Sequence, residues 1–372
     1  LAISFNPHQK LDFKEVSYDP VRSTKAFSMI EDNAIGEDRP RTSDTRIISP
    51  EYLSEDMSTD SLRPLDFQEF LGQSELKDKM KVFIQAANQR KEALDHVLLA
   101  GPPGLGKTTF AKIISNEMKA NFVITSGPAI ERQGDLAAIL TNLAPRDVLF
   151  IDEIHRLRLP VEEVLYSAME DYKLDIVVGK GPEARTLRLD LPPFTLVGAT
   201  TQAGKLSAPL RDRFGILGDF EYYTTEELAK IIRRSAQILK IEIEKDASLE
   251  ISRRSRGTPR IANRLLRRVR DVAQVEGLEK IPQAIAGKAL EMLKVTSHGL
   301  DRLDMRILEV LHDKFEGNPV GLSTLAISVA EDEETIAEVC EPFLIQLGMI
   351  ERTPRGRQIT AAGRRYLQDW KS

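Results

Sequence analysis

Cysteine occurs once in the 372 residues, as Cys340. A single cysteine excludes an intramolecular disulfide. Its neighbours Ile336, Val339, Phe343, Leu344 and Leu347 recur at helical spacing, so the thiol reads as part of a core rather than as a nucleophile. Histidine is scarce too. His8, His96, His155, His298 and His312 lie far apart with no Cys or His partner at zinc spacing, so no metal site is expected from them. No apolar run approaches the ~20 residues that a membrane span needs. The first residues show no basic stretch leading into an apolar one, so the expected location is the cytoplasm, with no membrane partner.

Charge of one sign is missing from most of the chain. Residues 1–60 carry seven Lys and Arg against twelve Asp and Glu, which accounts for the whole net charge of −5. Residues 61–372 hold 45 of each sign, so global charge says nothing against a nucleic-acid partner. The first 60 residues are rich in Ser, Thr, Asp and Glu and lack a sustained period of 2 or 3.6; they read as an acidic, disordered extension.

From about residue 61 the pattern becomes regular. The short apolar runs Val97–Ala100, Phe122–Ile124, Val148–Ile151 and Thr195–Gly198 alternate with helical patterns. That alternation predicts a doubly wound α/β domain over 61–223 with a mainly parallel sheet. Within it, Leu174–Val178, the turn Gly179–Pro182 and Thr186–Leu191 read as a β-hairpin. Residues 224–298 read as an all-helical domain, opened by the helix-start pattern Thr224-Thr225-Glu226-Glu227. Residues 299–372 read as three helices and a two-stranded wing, Ile350–Thr353 and Gln358–Thr360, which predicts a winged helix.

Gly101-Pro-Pro-Gly104-Leu-Gly106-Lys107-Thr108 matches the phosphate-binding pattern G-x-x-x-x-G-K-[ST] between a predicted strand and a predicted helix. Glycines let backbone N–H groups wrap phosphates, and the helix N-terminus adds partial positive charge. Lys107 is expected to reach the β- and γ-phosphates of ATP and Thr108 to ligate Mg²⁺. Val148–Ile151 ends in Asp152, expected to hold the hydrated Mg²⁺, and Glu153, expected to act as general base on the attacking water. Asp152-Glu-Ile-His155 also suggests a DEAH-type helicase, but those have two such cores and this chain has room for one. His155 therefore reads as structural.

Further segments point to a family. Gly198-Ala-Thr-Thr201 resembles sensor 1 of the AAA+ ATPases, Leu210-Arg-Asp-Arg-Phe214 their arginine-finger segment and Gly257-Thr-Pro-Arg260 their sensor 2. A closer resemblance is carried by Leu62-Arg-Pro64, Phe70-Leu-Gly-Gln73, Asp152–Arg156, Leu191-Pro-Pro-Phe-Thr195, Pro209–Gly215 and Arg352–Arg357. These are similar to the RuvB family, bacterial Holliday-junction branch-migration motors, over about residues 61–368. The resemblance implies that Thr201 reads the γ-phosphate state and Arg260 contacts phosphate within its own subunit. It implies that Arg213 is an arginine finger acting in trans, and hence a ring, the family's homo-hexamer. Nucleotide contacts would come from Leu62, Arg63, Gly104, Gly106, Lys107, Thr108, Thr109, the segment Glu170-Asp171-Tyr172, Tyr223 and Arg260. The hairpin 174–191 would dock on the junction-binding partner RuvA through its apolar residues Leu174, Ile176, Val178, Leu187, Leu189 and Leu191, with an ordinary structural hairpin as the alternative. RuvC is a further candidate partner.

Two basic clusters bear on double-stranded DNA. Eight arginines between 253 and 270 face only Glu250 and Asp271 in that stretch; sensor-2 and subunit-interface pairing explain them better than DNA does. On the wing, Arg352, Arg355 and Arg357 flank a turn stiffened by Pro354 and loosened by Gly356, a good shape for sequence-independent phosphate contacts. Gln202 departs from the family, where arginine is usual, and Glu333 stands at the head of the third winged-domain helix, where an arginine often assists DNA contact; the second makes the wing the surer DNA contact. A clamp-loader-like switch is the competing function, but clamp loaders lack a C-terminal winged helix. A protein unfoldase would need an aromatic pore loop, and no Tyr-Val-Gly-type segment lies between the Walker motifs.

Overall fold

The computed structural model describes residues 61–178 and 185–371. The acidic segment 1–60, residues 179–184 with the turn expected at 179–182, and the side chains of Ile176 and Val178 lie outside the described residues.

In chain order the first seven strands are β1 (Val97–Ala100), β2 (Phe122–Ser126), β3 (Val148–Asp152), β4 (Lys173–Val178), β5 (Arg185–Asp190), β6 (Thr195–Thr200) and β7 (Ile216–Asp219). Five form one parallel sheet in the order β2-β3-β6-β1-β7. The apolar runs of β1, β3 and β6 are buried along almost their whole length, as strands covered by helices on both faces must be. Helix Lys107–Met118 buries Phe110, Ile113, Ile114 and Met118 against this sheet. Phe110 meets Phe67, Phe70 and Phe220 edge-on at 5.1, 5.4 and 5.5 Å. The chain's reversal between β1 and β3 is bridged by β6, and this is where a doubly wound sheet opens its ligand crevice.

β4 and β5 form the expected antiparallel hairpin, with Leu174 opposite Leu189 and Ile176 opposite Leu187. Leu174 and Leu191 are buried at its base, Leu189 is half-buried and Leu187 is exposed. The apolar face therefore starts in the core and emerges into solvent.

Helices Thr225–Ile238, Lys245–Arg253, Pro259–Val275 and Gln283–Met292 build the second domain. The first opens with a capping box in which Thr224 and Glu227 satisfy each other's backbone N–H groups. This domain is not wholly helical as expected. Two-residue strands β8 (Glu242–Ile243) and β9 (Lys280–Ile281) pair in parallel and staple two helix connections together.

The third domain starts with helix Arg302–Glu309, capped by Asp301, and continues through Leu322–Val329 and a helical run over Glu333–Gln346. The wing is β10 (Ile350–Thr353) and β11 (Gly356–Ile359), followed by helix Ala361–Lys371. Cys340 is buried in this domain's core.

The arginine cluster over 253–270 resolves into structure rather than surface. Arg254 donates to Glu250 at 2.9 Å and to the Val295 carbonyl at 2.8 Å. Arg256 reaches from the second domain into the third, where it pairs with the fully buried Asp304 and donates to the Gly299 carbonyl at 2.9 Å. Its guanidinium also lies 4.5 Å from the Phe343 ring centroid. Arg264 and Arg267 are buried within the second domain, and Arg268 and Arg270 share Asp271. Subunit-interface pairing is thus unnecessary to explain most of these side chains; much of their charge is answered inside the chain. Asp304→Ala would take from buried Arg256 its nearer carboxylate and leave Asp301, at 3.7 Å, as the remaining one. We expect a loss of about 3–5 kcal/mol in unfolding free energy by urea titration, part of it recovered in the double variant Arg256→Met/Asp304→Leu.

Candidate active site

The C-terminal ends of β1, β3 and β6 converge. β1 runs into the phosphate-binding loop, where Gly101, Gly104 and Gly106 all take positive φ. At Gly101 (φ 139°) a Cβ would stand 2.7 Å from the Phe220 carbonyl, so no larger residue fits there. Gly101 N donates to the Thr200 carbonyl at 3.1 Å, tying the loop to the end of β6.

Lys107 is buried, and its Nζ donates to the carbonyls of Gly101 and Pro102 at 2.6 and 2.9 Å. Burial lowers its pKa to about 8; Asp152 opposes that shift and Arg260 adds to it. Thr108 Oγ1 lies 3.5 Å from Asp152 Oδ2. A hydroxyl at the start of a helix and a carboxylate at the end of a strand, side by side above a loop of N–H groups, form a donor set that suits a Mg²⁺–nucleotide complex. The residues fit the group.

Glu153 follows in the left-handed region (φ 48°), a strained conformation of the kind that clusters at functional sites. Its carboxylate pairs with Arg156 at 3.1 Å. Gly127, at the end of β2, packs so closely that a Cβ there would stand 2.4 Å from the Glu153 carbonyl oxygen.

At the end of β6, Thr200 rather than Thr201 is the anchored threonine. Its hydroxyl shares a hydrogen bond with His155 Nδ1 at 3.0 Å and accepts one from Gln202 N at 3.0 Å. Burial holds the His155 pKa below the usual imidazole value. His155 thus ties the segment after Asp152-Glu153 to the end of β6. Thr201 follows, half-buried. Gln202 donates through Nε2 to Glu338 of the third domain at 2.7 Å.

The second domain closes over the loop from the other side. Arg260 N donates to the Gly104 carbonyl at 3.4 Å. The Tyr223 hydroxyl donates to the Leu105 carbonyl at 3.2 Å, and burial raises that phenol above its ordinary pKa. Leu62 is buried, and its carbonyl accepts from Arg234 Nη1 at 2.8 Å. Arg63 and Thr109 are half-buried.

Other expected site residues gather elsewhere. Arg213 Nη1 donates to the Pro209 carbonyl and Nη2 to Glu170 Oε2, both at 2.8 Å. The guanidinium lies 4.8 Å from the Tyr166 ring centroid. Glu170 is therefore grouped with Arg213, while Asp171 is exposed and Tyr172 packs near His96 and Phe194. On the wing, Arg352 and Arg357 both pair with Glu341, which is 1% exposed; Arg352 stays exposed while doing so, Arg357 is half-buried, and Arg355 is exposed at the turn. The Glu341 clamp was invisible in the sequence because its partners lie 11 and 16 positions away.

A parallel-sheet P-loop domain carrying a helical lid with an arginine on the phosphate loop, and a winged helix beyond it, is an ATPase of the AAA+ class. The chain matches three family models in succession: the Holliday junction DNA helicase RuvB P-loop domain over 62–220, the RuvB AAA lid domain over 223–296 and the RuvB C-terminal winged helix domain over 297–368. The Thermotoga maritima RuvB Holliday-junction branch-migration motor is 49% identical, with a TM-score of 0.76 over 83% of this chain and 99% of its own. A lysine-to-arginine variant of the Thermotoga protein is 50% identical over 82% and 98% of the two chains, with a TM-score of 0.76. An arginine-to-alanine variant is 49% identical over the same shares, at 0.75. The chain belongs to the RuvB family. Among the described residues, no helix is long and apolar enough to cross a membrane.

The displaced pKa of Lys107 has a measurable sign. A bound polyphosphate stabilises the ammonium form, so its pKa is higher in the complex than in the free protein. ATP affinity should be full below about pH 8 and fall as pH rises through that value, by up to about tenfold per unit, with proton uptake on binding. Binding titrations from pH 7 to 9.5 check this, and Lys107→Arg should flatten the dependence because guanidinium stays charged.

Proposed function

We propose that this chain is an ATP-driven double-stranded DNA translocase that moves Holliday junctions, working as a homo-hexameric ring with RuvA as its junction-binding partner and RuvC as a further one, in the cytoplasm. We assign the ATPase domain to residues 61–223, the lid to 224–298 and the winged helix to 299–372, with 1–60 as an extension.

The observation that carries the ring is the separation of the site into two halves. The phosphate loop, Asp152, Glu153 and the sensor segments sit together, whereas Arg213 makes its described contacts with Pro209, Glu170 and Tyr166. An arginine needed for transition-state charge but held away from its own loop suits delivery to a neighbour.

In this reading Lys107 and the loop amides bind the β- and γ-phosphates, and Arg260 and Tyr223 close the lid side. Thr108 and Asp152 would hold Mg²⁺, which supplies neutralising charge on the phosphates when bound. Glu153 orients the attacking water and receives its proton, and Thr201 reports the γ-phosphate. Leu62, Arg63, Thr109 and the segment 170–172 border the nucleotide, the last from the finger side. The hairpin offers RuvA the apolar face that emerges at Leu187 and Leu189. A clamp-loader-like switch is the weaker reading, because the winged helix at the C-terminus has no counterpart there.

Branch migration of a synthetic four-way junction, with and without RuvA, tests the proposal. ATP-dependent movement is expected; active hydrolysis with no movement in either case would favour the switch. Lys107→Ala should lose nucleotide binding, and Arg213→Ala should keep it while turnover falls by about 10³-fold or more. On the wing, Arg355→Ala should weaken DNA binding alike for all sequences and reduce the salt slope by about one. Arg357→Ala should act mainly on thermal stability, since it strips a partner from buried Glu341.

A further inference from the structure

We propose that Tyr166 is the positioning residue of the arginine finger: its ring, fixed from behind by Glu162 and Ser207, aims the Arg213 guanidinium at the neighbouring subunit's nucleotide. This rests on the reading of Arg213 as a finger acting in trans.

Three side chains form the support. Glu162 is buried on helix Leu159–Glu170, and Ser207 caps the short helix Ala208–Arg211 that leads to Arg213. Ser207 Oγ donates to Glu162 Oε2 at 2.7 Å, and the Tyr166 hydroxyl donates to the same oxygen at 3.1 Å. Tyr166 and Ser207 also lie 3.1 Å apart, oxygen to oxygen. One carboxylate thus locks together the helix that carries the ring and the helix that leads to the finger. A charge-assisted bond to a buried acceptor is strong and directional, so the ring has little freedom to turn.

Arg213 meets this support through the face of the ring, where the quadrupole attracts a cation without consuming any N–H donor. Its remaining ion pair is of a different kind. Glu170, one helical turn beyond Tyr166, is 64% exposed in its side chain, and an exposed pair of this sort is weak. Arg213 Nε is buried with no hydrogen-bond partner, so the pose is incompletely satisfied. The guanidinium therefore keeps two contacts, the ring and the Pro209 carbonyl that accepts from Nη1 at 2.8 Å, and has one exchangeable contact, Glu170. A phosphate from the neighbouring site competes for the Nη2 donor that Glu170 holds, while the ring keeps the group's plane. An acceptor is exchanged and the aim is kept.

The test uses the full-length protein assembled on DNA. Tyr166→Leu should lower kcat for ATP about tenfold or more with KM nearly unchanged, because the finger acts on the transition state. Tyr166→Phe, which keeps the ring, should recover most of that loss. The decisive measurement is a mixture of Tyr166→Leu with Lys107→Ala subunits. The first has an intact phosphate loop and a misaimed finger; the second has a dead loop and a well-aimed finger. Turnover several-fold above either variant alone is the expected result. No gain, with the control mixture of Arg213→Ala and Lys107→Ala restored, would overturn the role of Tyr166. No gain in the control either would overturn the trans finger, and the proposal with it. Should Tyr166→Leu fail to bind a fluorescent ATP analogue, Tyr166→Met, nearer in volume, takes its place in the same mixture.

Discussion

The hydrogen-bonded insertion of β6 between β1 and β3 is the constraint on which the catalytic end of the molecule depends. β1 ends in the phosphate loop and β3 in the Asp152-Glu153 pair, but the two strands do not touch. β6 sets their separation, and its last residues supply the cross-links: the Thr200 carbonyl to Gly101 N, and the Thr200 hydroxyl to His155. Parallel strands need crossovers, and each crossover here delivers a helix or loop to the same edge. The spacing between the phosphate-binding loop and the Asp152 and Glu153 carboxylates is therefore a strand spacing, and it is as stiff as the sheet.

Within that frame the cost concentrates on Lys107. Moving a lysine from 10.5 to about 8 corresponds to about 3–4 kcal/mol at 1.4 kcal/mol per unit. The two loop carbonyls that accept its hydrogen bonds offset part of the lost hydration. The charge is held ready and poorly solvated, which is how a site gains strength for a polyanion without reorganising when it arrives. The positive φ of Glu153 is a second local cost at the same edge.

Much of this was legible in the residues. The buried parallel strands show as unbroken apolar runs, and the phosphate loop, the Walker B acids and the winged-helix pattern lie in consecutive stretches. Other elements escaped for physical reasons. β7 is an edge strand, Ile216-Leu-Gly-Asp219, buried on alternate residues only, so it carries no apolar run. β8 and β9 are two residues each, too short for any period. Helix Ala361–Lys371 buries only Gly363 and Leu367 and reads as a polar tail. The arginines were the least legible, because a pattern of charges does not show distant partners. Arg256 finds Asp304 48 positions on, and the wing arginines find Glu341 on the preceding helix. The grouping of Glu170 with Arg213 was likewise hidden by a separation of 43 positions.

Gln202 and Glu338 join the edge of the ATPase sheet to the third domain through one amide–carboxylate hydrogen bond. Only one member of that bond is charged. An arginine at 202 would make the same link an ion pair, subject to ionic screening. With glutamine the link depends far less on dissolved salt. Protein–DNA contacts follow the opposite rule, since releasing counterions from phosphates makes them weaken steeply as salt rises. In this chain the winged domain is thus linked to the motor core by a bond that ionic strength barely touches, whereas any grip it has on a nucleic-acid backbone varies with the surrounding electrolyte.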